Sequence, residues 1–318
     1  MRRQSEQSLH GPSPLSRYHA RILRFVWLLG ILAIRAYGQE FAGAEACGAC
    51  HKQQFESQSM TGHARALTLS SADQPGDWAF GSGAQAITFV SRVDRERYRE
   101  LGATWFASRQ GFGTTPGHGN QDGIDFRVFD SDARVLRCFG CHTTGPLTLD
   151  AEERIVPHEL GVRCEVCHGP GGAHARNPVG VKPRNPARMT ATGLNDFCRG
   201  CHRLDLETGE ELTDVLDARL LRAQPLPLAA SACYQASAGR LTCLTCHNPH
   251  EPLVKDAARY DAACVSCHTA PAHSSPVAGK ACVSCHMPAV NFGDLTFRNH
   301  RIAVYEPGEP VRPVTALR

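Results

Sequence analysis

Downstream of residue 38, the sequence lacks any apolar run long enough to span a bilayer, for which about 20 apolar residues are needed. It also lacks a strong excess of charge, with 34 basic and 31 acidic side chains and a formal net charge of +3. No cluster of basic residues resembles a nucleic-acid-binding patch. These absences argue against a polytopic membrane protein and against a nucleic-acid partner.

Cysteine is abundant, and nearly all of it follows one pattern. Fourteen of the 15 cysteines occur in seven copies of Cys-x-x-Cys-His, which leaves only Cys233 outside. A random chain of this composition would contain on the order of 0.03 copies. Numbered in chain order, motifs 1 to 7 are Cys47–His51, Cys138–His142, Cys164–His168, Cys198–His202, Cys243–His247, Cys264–His268 and Cys282–His286.

Each motif has the chemistry of a c-type haem attachment site. Two thiols at this spacing can form thioethers with the porphyrin vinyl groups, and the histidine can bind the iron as its proximal ligand. We therefore predict seven covalently bound haem c groups. The attachment residues are Cys47, Cys50, Cys138, Cys141, Cys164, Cys167, Cys198, Cys201, Cys243, Cys246, Cys264, Cys267, Cys282 and Cys285. The proximal ligands are His51, His142, His168, His202, His247, His268 and His286.

Two other uses of cysteine explain the pattern less well. A disulfide scaffold requires neither the constant spacing nor the histidine that follows each pair. Four-ligand zinc sites would use the pairs two by two, and seven pairs cannot be matched in this way.

The first 38 residues predict a secretory signal peptide of the Sec type. A basic stretch leads into the apolar run Ile22–Ile34, and Ala36 and Gly38 are the small residues that a signal peptidase reads. The predicted location is the periplasm or another exported compartment. An uncleaved membrane anchor is the alternative, although the run is short and is stopped by Arg35. Cleavage would remove six arginines and one glutamate and change the formal charge from +3 to −2.

The fold prediction follows from the density of motifs. Some 40 residues per haem are too few to build an ordinary core around each cofactor. We predict a mainly α fold with much irregular structure, in which short helices and loops surround stacked haems in one domain over residues 39–303. The segments Ala86–Val93 and Tyr98–Phe106 predict strands of a small β insert at about residues 75–130.

Two segments outside the motifs also have a predicted structure. Apolar residues between Leu212 and Leu221 recur at helical spacing, which predicts a packing helix. Residues 304–318 are rich in proline and glutamate and are predicted to form a C-terminal tail.

The sixth ligand of each iron distinguishes an electron carrier from an enzyme, because an open iron can bind a small molecule. Seven histidines lie outside the motifs and the signal peptide, one for each iron. We expect distal ligands at His63, His174, His250 and His300, with His118, His158 and His273 as further candidates. Met60, Met189 and Met287 are interpreted as packing residues. Cys233 is interpreted as a buried free thiol, with an axial thiolate as the alternative.

Several phrases between residues 44 and 303 resemble the multihaem cytochromes c of the cytochrome c-554-like (c554 and c-prime domain) family. They are AEACGACHKQQFESQSMTGHARAL, CFGCHTTG, GVRCEVCHGPGGAH, LTCLTCHNPH and CVSCHMP, the last followed by His300. The resemblance implies helical and irregular structure, stacked haem pairs and distal histidines at His63, His174, His250 and His300. Two departures are the seven motifs, where the simplest members have four, and the lack of Cys-x-x-Cys-Lys, which one class of ammonia-forming nitrite reductase carries.

The favoured function is an exported heptahaem electron carrier with mostly bis-histidine irons and no catalytic residues. Its partners would be redox proteins in the periplasm or at the membrane surface. Assembly into an oligomer or filament is a further alternative. The alternative is a multihaem oxidoreductase with one open iron that oxidises hydroxylamine, reduces nitrite or acts on a similar nitrogen or sulfur compound.

Overall fold

The structure is a computed structural model that describes residues 40–118, 122–128, 134–203, 223–269 and 281–314. The predicted signal peptide, the predicted helix at Leu212–Leu221 and His273 lie outside the described residues. In the part of the chain that the structure describes, every helix is too short or too polar to cross a membrane.

The described helices are short, and none exceeds nine residues. Isolated helices of this length are marginal in water, so tertiary contacts must stabilise them. They are α1 (Ala44–Gly48), α2 (Lys52–Ser59), α3 (Arg134–His142), α4 (Cys164–His168), α5 (Gly172–Arg176), α6 (Ala191–Arg199), α7 (Pro225–Ala229), α8 (Ala232–Ala236), α9 (Cys243–Cys246), α10 (Asp261–Val265) and α11 (Cys282–His286). Two 3₁₀ turns cover Pro186–Arg188 and Ala257–Tyr260.

The strands form three antiparallel sheets. They are β1 (Leu67–Leu69), β2 (Trp78–Phe80), β3 (Ala86–Arg92), β4 (Arg97–Phe106), β5 (Gly111–Thr114), β6 (Ile124–Arg127), β7 (Thr143–Leu149), β8 (Ile155–Leu160), β9 (Ala289–Phe292) and β10 (Leu295–Arg298). The large sheet has the order β1-β2-β3-β4-β5, and β6 also pairs with β4. The hairpins β7-β8 and β9-β10 form the two small sheets.

Strand β4 organises the large sheet because both β5 and β6 pair with it. Residues Ala103–Phe106 pair with β5, and residues Arg97–Glu100 pair with β6. Its pairing with β3 shifts register between Thr88 and Val90. Such a bulge bends the strand locally.

The main hydrophobic core lies between this sheet and α3. Phe139, inside motif 2, is fully buried and makes edge contacts with Trp78 and Phe80, each at a ring-centroid distance of 5.1 Å. The hydroxyl of Tyr98 accepts a hydrogen bond of 2.8 Å from the buried backbone N–H of Ile155. The sheet is therefore the support on which motif 2 rests.

The prediction of a mainly α fold is wrong. Of the described residues, 30% are helical and 23% are in strands. The two predicted strands are present as β3 and β4, but they belong to a six-stranded sheet that reaches from Leu67 to Arg127. The density of motifs led to an underestimate of this sheet, because the long segment between motifs 1 and 2 contains no Cys-x-x-Cys-His and can form a core of its own.

Residues 304–314, within the predicted tail, fold back on themselves. Tyr305 and Pro313 form an isolated antiparallel bridge, and the backbone N–H of Val314 donates to the carbonyl of Val304 at 2.8 Å.

Candidate haem-binding motifs and axial ligands

One helical turn gives each motif its shape. Positions i, i+3 and i+4 of a helix share a face, which brings both thiols and the imidazole to the same side of the backbone. The turn is closed by a hydrogen bond of 2.9–3.0 Å from the histidine N–H to the first cysteine carbonyl in four motifs. The donors are His51, His202, His247 and His268.

None of the 15 cysteines, all of which lie in the described residues, forms a disulfide bond. Within the described residues, no group of three or more His, Cys, Asp or Glu side chains converges on a point where it could hold a metal ion by itself. The imidazoles instead come together in pairs. A pair fits a haem iron, because the porphyrin supplies the four equatorial nitrogens and the protein supplies only the axial ligands.

Four predicted proximal histidines each lie opposite a predicted distal histidine. The ring-centroid distances are 6.3 Å for His51–His174, 5.9 Å for His202–His63, 5.9 Å for His168–His250 and 6.2 Å for His247–His300. A metal–imidazole bond of about 2.0–2.1 Å puts the centres of two opposed axial rings about 6 Å apart. In each pair the distal residue comes from outside the motif that it faces, so the pairs join distant parts of the chain.

Several of the predicted axial ligands, inside and outside these pairs, are oriented by the backbone through Nδ1. The Nδ1 atoms lie 2.7–2.9 Å from carbonyl oxygens in the pairs His142–Ala66, His168–Arg184, His174–Val181, His286–Ala303 and His300–Arg298. An Nδ1–H that donates to a carbonyl leaves the Nε2 lone pair available for a metal.

Desolvation favours the neutral form of four of the paired histidines. It lowers the pKa of His300 to about 4, and it also lowers the pKa values of His63, His247 and His250. A neutral imidazole is the form that binds a metal.

The thiols of different motifs lie close enough to interact with one another. Short-range interactions link Cys47 with Cys164, Cys141 with Cys201, Cys198 with Cys243 and Cys264 with Cys282. Longer-range electrostatic interactions link Cys167 with Cys198 and Cys246 with Cys264. Together these interactions arrange the motifs in the order 1–3–4–5–6–7, with motif 2 beside motif 4.

Sequence reasoning missed two side chains that link neighbouring motifs. The carboxylate of Glu165, 3% exposed, accepts hydrogen bonds from the backbone N–H groups of Ala42 and Gly43, both at 2.8 Å, and of Gly171 at 2.6 Å. The segment that enters motif 1 is thereby fastened to motif 3. The only signal in the sequence is the presence of a charged residue inside Cys-x-x-Cys. Glutamate is rarely buried unless it is paired, so the burial that marks Glu165 as unusual is visible only in the structure.

The second of these side chains is Arg184, which links motifs 3 and 4. Its guanidinium donates to the carbonyls of Cys167 and Val166, both at 2.9 Å, and its Cζ lies 4.7 Å from the ring centre of Phe197 in α6. Its own carbonyl receives the Nδ1 contact of His168. The sequence carries no local pattern that marks this arginine.

The further distal candidates have different surroundings. The buried side chain of His118 directs Nε2 to a carboxylate oxygen of Glu100 at 3.2 Å, while its Nδ1 has no hydrogen-bond partner. His158 is an exposed residue of β8 whose ring lies 5.5 Å from that of Phe41. Met60 is 59% exposed, and Cys233 is half-buried with a pKa raised by desolvation.

Comparison with known proteins gives one match in sequence families. Residues 121–169, which contain motifs 2 and 3, match the model of the cytochrome c554 and c-prime family. The predicted resemblance to that family is thus confirmed over this segment. No curated protein sequence matches the chain at a significant level.

Two solved structures are similar to the chain. The Outer Cell Wall Cytochrome OcwA is 17% identical, with a TM-score of 0.54, over 83% of this chain and 80% of that one. The undecahaem cytochrome from the S-layer of Carboxydothermus ferrireducens is 16% identical, with a TM-score of 0.49, over 84% of this chain and 52% of that one. The first likeness indicates a shared fold with a cytochrome.

Proposed function

We propose that this chain is an exported heptahaem cytochrome c that transfers electrons along closely spaced, mostly bis-histidine haems. The observation that carries the proposal is the pairing of four motif histidines with four histidines from outside those motifs. A chain without haem-binding function has no reason to bring imidazoles together four times at the spacing of axial ligands. The name of the similar Outer Cell Wall Cytochrome OcwA agrees with export.

The residues assigned to each haem follow from the motifs and pairs. All fourteen motif cysteines would attach the seven porphyrins, and the seven motif histidines would bind the irons on the proximal side. His174, His63, His250 and His300 would bind the irons of motifs 1, 4, 3 and 5. When bound, haem c supplies a one-electron iron couple.

The chain's own residues would hold these couples in order and keep water from them. The interactions between thiols of different motifs support an electron path 1–3–4–5–6–7, with a branch from motif 4 to motif 2. Backbone carbonyls would fix the imidazole orientation through Nδ1. Redox proteins at the cell surface or in the periplasm would deliver and remove the electrons at exposed haems.

The test is electron paramagnetic resonance of the ferric protein, made in cells that mature c-type cytochromes. The proposal predicts low-spin signals for the irons of motifs 1, 3, 4 and 5. His174→Ala should convert the iron of motif 1 to high spin, whereas Met60→Leu, at an exposed position near motif 1, should leave the spectrum unchanged. A wild-type spectrum dominated by high-spin iron would refute the carrier and favour an oxidoreductase with open irons.

A further inference from the structure

Two adjacent pairs of motifs, 4–5 and 6–7, are joined by the same device. In α6, Asn195 stands three residues before the first cysteine of motif 4, and in α10 Asp261 stands three residues before the first cysteine of motif 6. Each side chain reaches the start of the partner motif. The Asn195 Oδ1 atom accepts a hydrogen bond from the backbone N–H of Cys243 at 3.1 Å, and the Asp261 Oδ1 atom accepts one from Cys282 at 2.9 Å.

The likeness extends to the thiols. The Cys243 Sγ atom lies 3.1 Å from the Asn195 Oδ1 atom, and the charge of Asp261 acts on the Cys282 thiol. In both pairs the first thiols of the two motifs contact each other, Cys198 with Cys243 and Cys264 with Cys282. Because a thioether has no S–H, the bond from the backbone N–H is the one that remains after haem attachment.

The bonded N–H is the first of a helix of four or five residues, in α9 or in α11. Such N–H groups have no partner within the helix, so an oxygen acceptor from the neighbouring motif satisfies one of them. The bond therefore fixes the start of one motif against the helix that carries the other. Asn195 and Asp261 are equivalent positioning residues for the two haem pairs.

The two residues differ in charge. Asn195 is neutral and 7% exposed, and its Nδ2 atom donates to the hydroxyl of Tyr234 at 3.1 Å. Asp261 is half-buried and carries a carboxylate, whose charge acts on the thiols of both Cys264 and Cys282. A negative charge beside a haem stabilises the ferric state, which carries one more positive charge than the ferrous state.

We propose that Asp261 lowers the reduction potentials of the haems at motifs 6 and 7, and that the neutral Asn195 leaves those at motifs 4 and 5 higher. The same kind of hydrogen bond thus holds both pairs, but the charge of Asp261 makes the 6–7 pair the electron-donating end of the path. This inference rests on the proposed function, since it requires haem at these four motifs.

The experiment exchanges the two residues in the full-length, haem-loaded protein. Asp261→Asn keeps the oxygen acceptor for the Cys282 N–H and removes the charge. Asn195→Asp keeps the acceptor for Cys243 and adds a charge, while the Tyr234 hydroxyl can donate to it. The matched control is Asp256→Asn, which removes an exposed carboxylate that caps the nearby turn Ala257–Tyr260.

Protein-film voltammetry of each variant gives the distribution of midpoint potentials. Asp261→Asn should shift the lowest midpoint potentials upward. We expect the equilibrium constant for reduction of these haems to rise about threefold to tenfold, where tenfold is about 59 mV for one electron. Asn195→Asp should lower part of the distribution by a similar factor, and Asp256→Asn should leave it unchanged. Unshifted potentials in both exchange variants, or an equal shift in the control, would overturn the inference.

Intact mass separates this inference from the function on which it rests. Unshifted potentials in variants that carry seven haems refute the role of Asp261 alone. A wild-type protein without haem refutes the proposed function. If one variant fails to fold, the other still tests whether a carboxylate at this position lowers the potentials, and unshifted potentials in that variant alone would then overturn the inference.

Discussion

Glu165 offers a sharp test of how the first and third motifs are held together. Its two carboxylate oxygens accept three backbone N–H groups, with Ala42 and Gly171 sharing Oε1 and Gly43 bound to Oε2. A hydrogen bond to a charged acceptor stabilises a fold by about 1.5–3 kcal/mol. Glu165→Gln keeps one oxygen and turns an amide group towards the N–H of Gly43, so we expect a loss of about 1.5–3 kcal/mol.

Glu165→Ala removes all three acceptors at once. We expect a loss of about 3–6 kcal/mol, less than the full sum because water can enter the space that the shorter side chain leaves. Guanidinium unfolding of the haem-loaded protein, followed by circular dichroism in the Soret region, measures both losses. The control is Glu56→Gln, because Glu56 is 61% exposed and its ion pair with Lys52 spans 3.9 Å. A loss below about 1 kcal/mol for Glu165→Ala would contradict the reasoning.

Three further predictions follow from individual contacts. Arg184→Ala should destabilise the protein by about 1–3 kcal/mol, because two hydrogen bonds to backbone carbonyls and the contact with Phe197 are lost. The control is Arg188→Ala, at an exposed arginine four residues later, which should cost under about 0.5 kcal/mol. Equal losses in the two variants would refute the role of Arg184. Tyr98→Phe should cost about 1–3 kcal/mol, since the buried N–H of Ile155 loses its acceptor, and an unchanged unfolding midpoint would contradict this. Desolvation raises the pKa of Glu159, so its contribution to stability is present below its ordinary pKa and is lost as pH rises through the raised value. The free energy of unfolding, measured between pH 4 and 8, should show this decline. If Glu159→Gln left the pH dependence of that free energy unchanged, the prediction would be refuted.

The histidine pairs were easier to anticipate from the sequence than the fold. Cys-x-x-Cys-His is a local pattern, because one helical turn brings its three groups together whatever the rest of the chain does. The prediction of His63, His174, His250 and His300 as distal candidates used position and resemblance, and each lies opposite a motif histidine. Which motif each one faces depends on long-range packing, and no local pattern contains that information.

The large sheet was only partly predictable. Alternating apolar residues marked β3 and β4, but β1, β2, β5 and β6 have three or four residues each, too few for a clear alternation. The hairpin of β7 and β8 begins directly after His142, outside the predicted β insert at about residues 75–130. Asn195 and Asp261 could be recognised as equivalent only after the structure brought their helices against motifs 5 and 7.

The most direct test of the central claim is the intact mass, under denaturing conditions, of the protein made in cells that mature c-type cytochromes. A polypeptide that retains seven covalent haem groups would agree with one porphyrin at every motif. Variants in which both cysteines of a single motif are replaced by alanine should each retain six. A colourless chain with the mass of its amino acids alone would contradict the account.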